Sequence, residues 1–60
     1  MTLAQAMQTG KPFRRPSWPR NLVRVEGNAL REHPRTEPTW WWDWKPNVED
    51  ITAEDYEVEP

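Results

Sequence analysis

Asn21-Leu22-Val23-Arg24-Val25-Glu26-Gly27-Asn28-Ala29-Leu30-Arg31-Glu32-His33 decides the fold. Two alternating runs flank Gly27-Asn28, a two-residue sequence suited to a tight turn, and together they predict a β-hairpin. Its register sets Val25 opposite Leu30 and Val23 opposite Glu32 on one face, with Leu22, Arg24, Arg31 and His33 on the other. Arg24 then stands directly across from Arg31. Such a like-charge pair is unfavourable unless a carboxylate or a bound anion lies over it. A bridging acid from the C-terminal half is the plain solution, and a bound phosphate is the alternative. His33, beside Pro34, reads as a partly exposed strand-end residue rather than a catalytic base.

Upstream of the hairpin, Thr2-Leu3-Ala4-Gln5 has the form of a capping box, and Leu3, Ala6 and Met7 make a narrow apolar stripe that Gly10 is placed to end. A helix of about two turns is unstable alone and must dock on a sheet. Lys11 to Arg15 predicts a short strand anchored by Phe13. Pro16-Ser17-Trp18-Pro19 follows as a stiff turn, because its two prolines fix two φ angles. Trp18, between Arg15 and Arg20, is either a ligand platform or a structural cap on one end of the core.

Downstream, Pro34 to Thr39 is a polar connection into a predicted strand over Trp40, Trp41, Trp42, Asp43 and Trp44. Alternation puts Trp40, Trp42 and Trp44 on one face and Trp41 with Asp43 on the other. Each indole can bury about 200 Å². The run is therefore expected to be mainly core, with Trp44 as a wall beside Ile51 and Tyr56, and Trp41 meeting another protomer. Lys45-Pro46 ends the strand. Asn47 is placed to cap a helical turn through Asp50, with Val48 and Ile51 facing the core, and Tyr56-Glu57-Val58 alternates as a last strand. The expected architecture is one α+β domain over residues 1–60, a short N-terminal helix packed on an antiparallel sheet of about four to five short strands.

A 60-residue chain buries only about 60% of the surface its unfolded form exposes, so stability is the first problem. Cysteine is absent and His33 is the sole histidine, which argues against disulfides, thiolate chemistry and a zinc site. Homo-oligomerisation is the support that remains. Seven prolines and 30% charged residues resemble a disordered tail, but seven aromatic residues argue for a packed chain. No apolar run approaches the roughly 20 residues of a membrane span, and the first residues lack a signal peptide's basic flank. A cytoplasmic protein with no membrane partner is expected.

The net charge of −2 hides a division. Residues 11–35 carry seven basic side chains against Glu26 and Glu32, a formal +5; residues 36–60 carry eight acids against Lys45, a formal −7. The halves should neutralise each other, within or between protomers. Catalysis has little to stand on. There is no nucleophile set, no phosphate-cradling glycine loop and no calcium-loop spacing, so neither an enzyme nor a metal or cofactor site is expected. What the chain offers is indoles, guanidinium forks, Asn and Asp, the residues that stack bases, hold phosphates and accept from sugar hydroxyls. Extended nucleic acid suits a net-acidic chain poorly. On this chemistry Arg15, Arg24 and Trp42 are candidate ligand residues for a small nucleotide.

One segment is recognisable. Trp44-Lys45-Pro46-Asn47-Val48-Glu49-Asp50-Ile51-Thr52-Ala53-Glu54-Asp55-Tyr56-Glu57-Val58 resembles the C-terminal signature of a family of small phage proteins, a Trp-x-Pro-Ser step leading to Asp-Leu-x-Ala-x-Asp-Trp-x-Val. Gly10-Lys11 and Arg15-Pro16-Ser17-Trp18 loosely match its front. The family is that of the Thoeris anti-defence sponges of the second type. The resemblance implies a homo-oligomeric α+β protein that, in the host bacterial cytoplasm, encloses cyclic nucleotide immune signals without cleaving them. Cyclic ADP-ribose isomers and cyclic dinucleotides are among those signals. It also implies ligand roles for Trp18, Asp50 and Asp55, which occupy matching motif positions. The rival reading is a small phage inhibitor that binds a host defence protein directly through its aromatic and charged surface.

Overall fold

In the computed structural model, which describes all 60 residues, the hairpin adopts the expected register. Strands β2 (Asn21–Glu26) and β3 (Ala29–Pro34) pair antiparallel with Val23 opposite Glu32, Arg24 opposite Arg31 and Val25 opposite Leu30. Gly27 turns the corner at φ +64°, while Asn28 keeps a negative φ. A positive φ at the first central residue alone is the demand of a type II′ turn, which a glycine meets without strain.

Three two-residue strands complete the sheet: β1 (Phe13–Arg14), β4 (Trp42–Asp43) and β5 (Glu57–Val58). The spatial order is β4-β3-β2-β1-β5, antiparallel throughout, with Phe13 opposite both Val23 and Val58 and with Trp42 opposite Glu32. Both strands predicted at the flanks are shorter than their sequence runs. Pro12 and Pro16 bracket β1, and only Trp42 and Asp43 of the tryptophan run enter the ladder.

Helix α1 (Leu3–Gln8) starts at Thr2, whose hydroxyl accepts from the Gln5 amide while the Gln5 side chain accepts from the Thr2 amide. Gly10 ends the segment at φ +73°. Helix α2 (Val48–Thr52) has the same reciprocal cap, built by Asn47 and Asp50. The core is Leu3 and Ala6 of α1 against Phe13, Val23 and Tyr56, with Met7, Trp18, Leu30, Trp44, Ala53 and Val58 packed around it. Phe13 and Tyr56 meet edge to face at 5.7 Å. The other side of the sheet carries no helix.

Three expectations are corrected by this packing. Trp40 and Trp42 lie on the same face as the core, as alternation requires, yet they are exposed, Trp40 by 69%. The short helices gather over β1 and β2 and do not reach the β4 edge, so of the run only Trp44 packs against the core. Val48 and Ile51 are also exposed, by 77% and 57%. Helix α2 is tied down elsewhere, by Ala53 against the core and by the Tyr56 hydroxyl donating to the Asp50 carbonyl at 2.7 Å. His33 is buried, at 3% exposure, rather than partly exposed. It pairs with buried Leu22 on the helix-free face, and the ladder continues from it toward Trp41.

Candidate functional site

The alternation of β2 and β3 sorts the arginines by face. Arg24 and Arg31 are cross-strand partners on the helix-free face, and Arg14 stands beside Leu22 in the neighbouring row. Beyond the end of the ladder the Arg35 amide donates to the Arg20 carbonyl at 2.8 Å, which continues the pairing and sets the Arg20 backbone opposite that of Arg35. Arg14, Arg24 and Arg31 thus share the side of the sheet that has no helix.

Most of them are neutralised within the chain by the acidic half. Arg14 reaches Glu57 at 3.1 Å and Glu59 at 4.0 Å, Arg35 reaches Glu59 at 2.8 Å, and Arg31 reaches Asp43 at 4.0 Å. Arg24 instead pairs along its own strand with Glu26 at 3.4 Å. No single acid bridges the Arg24–Arg31 pair as predicted: Asp43 meets Arg31 alone and Glu26 meets Arg24, while Trp41 lies under the Arg31 guanidinium, 3.6 Å from ring centroid to Cζ.

Arg15 stands apart on the helix side. Its Nε donates to Asp55 at 2.9 Å, and its Nη1 lies 3.5 Å from Glu49 and 3.6 Å from Asp50. The hydrogen bond to Asp55 holds the arginine above its ordinary pKa and, reciprocally, holds the Asp55 carboxyl below the ordinary carboxylate value. Three predicted ligand residues, Arg15, Asp50 and Asp55, are brought together here, as partners of one another. The cluster ties α2 and the segment after it to the turn that carries Trp18.

Trp18 takes the structural one of its two sequence readings. It caps the core through edge-to-face contacts with Trp44 at 5.3 Å and Tyr56 at 5.9 Å. It also lines a concavity of about 310 Å³ together with Ser17, Pro19, Arg20, Asn21 and Glu32. Glu32 is held there from two sides, by the Asn21 amide at 3.0 Å and the Trp42 indole N–H at 2.7 Å. Trp42, a predicted ligand residue, thus positions the Glu32 carboxylate, whose remaining lone pairs can accept from hydroxyl or amino groups. Arg24 lies on the opposite face and does not join this concavity.

A second concavity, of about 440 Å³, adjoins the first and shares Pro19 and Arg20 with it; Pro34, Arg35 and Thr36 complete its lining. Both volumes fall within the range of about 300–1,000 Å³ found for small-molecule sites. Arg20 sits between the two and makes no ion pair or side-chain hydrogen bond. Arg20, Asn21, Glu32 and Arg35 are the residues that sequence reading missed. The available signal was the repeated Pro-Arg step, Pro19-Arg20 and Pro34-Arg35, at the two ends that the hairpin register brings together.

No protein-family model, curated protein or solved structure matches the chain significantly. The likeness to the sponge family stands on the quoted sequence segments alone.

Proposed function

We propose that this protein is a phage-encoded anti-defence protein that binds and sequesters a cyclic nucleotide immune signal without cleaving it. The observation that carries the reading is the pair of concavities joined at Arg20, with an indole on one side and two arginines on the other. A base can lie against Trp18, where stacking is worth about 1–3 kcal/mol. Glu32 and Asn21 stand ready for its amino groups or for ribose hydroxyls, and Arg20 reaches toward phosphate.

Association between copies belongs to the same proposal. Six apolar residues are buried in the whole chain, and β4 is a free sheet edge with exposed Trp42 in it and exposed Trp40 and Trp41 just before it. A second copy along that edge would supply hydrogen bonds to its unpaired backbone groups and cover the indoles. The test of function is to incubate the purified protein with cyclic ADP-ribose isomers and cyclic dinucleotides, remove the excess, and heat it. Release of intact ligand supports sequestration, and no retained nucleotide refutes it.

The exposed indoles also favour a second reading, direct binding of a host defence protein. Aromatic residues dominate the centres of protein interfaces, and three adjacent ones on a small domain are a ready anchor. A pull-down from host lysate separates the two. A sponge recovers small molecules, an inhibitor a stoichiometric protein that is lost when Trp40 and Trp41 become alanine.

A further inference from the structure

We infer that Arg20, Arg35 and Thr36 form an oxyanion site that takes a phosphate or pyrophosphate group. The inference names the phosphate end of the nucleotide reading and rests on that reading only for the rest of the ligand. The ladder's continuation sets the two arginines opposite each other, their backbones joined by a 2.8 Å hydrogen bond, and both line the same concavity. Like charges directly across a strand pair repel, and here Glu59, 2.8 Å from Arg35, is the one carboxylate in contact with either. Arg20 has none.

The lining contains no acid. Besides the two arginines it offers Thr36, whose hydroxyl can donate, and the rings of Pro19 and Pro34. Each arginine directly follows a proline. A proline's fixed φ leaves the backbone before the arginine little freedom, so both forks are presented from stiff positions and lose less entropy on binding. Guanidinium groups match phosphate oxygens in bidentate geometry, which makes an arginine pair with an adjacent hydroxyl a phosphate site rather than a general anion site. Glu59 is the built-in competitor, since it occupies Arg35 until a ligand displaces it.

Pyrophosphate, ADP and adenosine, titrated into the intact protein at low salt and followed through the arginine Nε–H resonances, provide the test. Pyrophosphate is expected to shift the Arg20 and Arg35 signals while those of Arg14 and Arg15 stay in place. Arg20→Gln and Arg35→Gln should each weaken binding by about tenfold, as loss of a charge-assisted hydrogen bond requires. Glu59→Gln should strengthen it. Both arginines are exposed, so the variants should keep the wild-type near-ultraviolet tryptophan signal.

If ADP binds more tightly than pyrophosphate and also moves the Trp18 indole resonance, the phosphate is nucleotide-borne and both readings stand. If pyrophosphate binds as well as ADP, the oxyanion site stands and the nucleoside half of the proposed function falls. The inference is overturned if neither ligand moves the two arginine signals at millimolar concentration. It is equally overturned if a cyclic nucleotide is retained undiminished by the Arg20→Gln and Arg35→Gln proteins, an outcome that would leave sequestration itself intact.

Discussion

The Arg31 guanidinium lies flat enough on Trp41 that its carbon is 3.6 Å from the ring centroid. That contact answers two problems at once. It lowers the cost of facing Arg31 with Arg24 across the hairpin, and it keeps half-buried an indole on a face that has no helix to cover it. Trp41→Ala should therefore cost more than truncation of an ordinary surface residue, about 1 kcal/mol from the lost cation–π contact and the uncompensated arginine pair. Urea denaturation measures this. If Arg31 and Trp41 are coupled, the double variant with Arg31→Gln will lose less than the sum of the two single variants.

The tryptophan run divides by role. Trp44, packed against the core and edge to face with Trp18, should lose roughly 2–4 kcal/mol on replacement by alanine. Trp40→Ala, at a largely exposed position, should leave the stability of the protomer within about 0.5 kcal/mol of the wild type. Thermal melts at low protein concentration, where association contributes least, make the comparison. Equal losses at the two positions would return Trp40 to the core.

Tyr56, the sole tyrosine, is buried and close to Asp50, and burial pushes its hydroxyl from the ordinary 10.0 up to about 12. A raised folded-state value means that the folded chain holds the proton more tightly than the unfolded chain. The associated stability is complete below about pH 10 and is lost as the pH rises toward 12. Tyr56→Phe removes the hydrogen bond to the Asp50 carbonyl and should lower stability by about 1 kcal/mol at neutral pH. The variant should also flatten the alkaline limb of stability against pH, read by denaturation at successive pH values.

Asp55 behaves in the opposite sense. Its lowered folded-state value, caused first by the hydrogen bond from Arg15, supplies stability above the ordinary carboxylate pKa of 3.8. That stability is lost as the pH falls through the lowered value. Asp55→Asn should reduce the melting temperature slightly at pH 7 and by less at pH 3, and added salt should shrink the difference because the pair is exposed. Scanning calorimetry at the two pH values checks it.

The elements that could be read in the sequence are those whose causes are local. Gly27-Asn28 sets the hairpin, Thr2 with Gln5 and Asn47 with Asp50 set the two helix starts, and the register follows from alternation. The face assignment of Trp40 to Trp44 was legible for the same reason. Which face would be covered was not, because coverage depends on where two helices of six and five residues come to rest. Val48 and Ile51 misled in the same way, since α2 is anchored by its backbone and by Ala53 rather than by its apolar side chains.

The candidate site was legible in part. Trp18 was named for its stiff, basic surroundings and does line a concavity. Arg15, Asp50 and Asp55 were named as ligand residues, and they form a mutual ion-pair cluster that fixes the turn bearing Trp18. Arg20 was legible only as a flank of Trp18, and its pairing with Arg35 was not, because that juxtaposition arises beyond the strand ends, where neither residue follows a hydrophobic period. His33, read as partly exposed, is buried because it stands opposite buried Leu22 on a face that the sequence pattern marks as charged.

Native mass spectrometry of the protein mixed with cyclic ADP-ribose isomers and cyclic dinucleotides tests the central claim most directly, because it reports retained ligand and the number of copies in one spectrum. The account predicts an assembly of more than one chain carrying intact nucleotide, with less nucleotide retained by the Arg20→Gln protein while the assembly remains. A folded wild-type protein that retains none of these nucleotides, whatever its assembly, contradicts it.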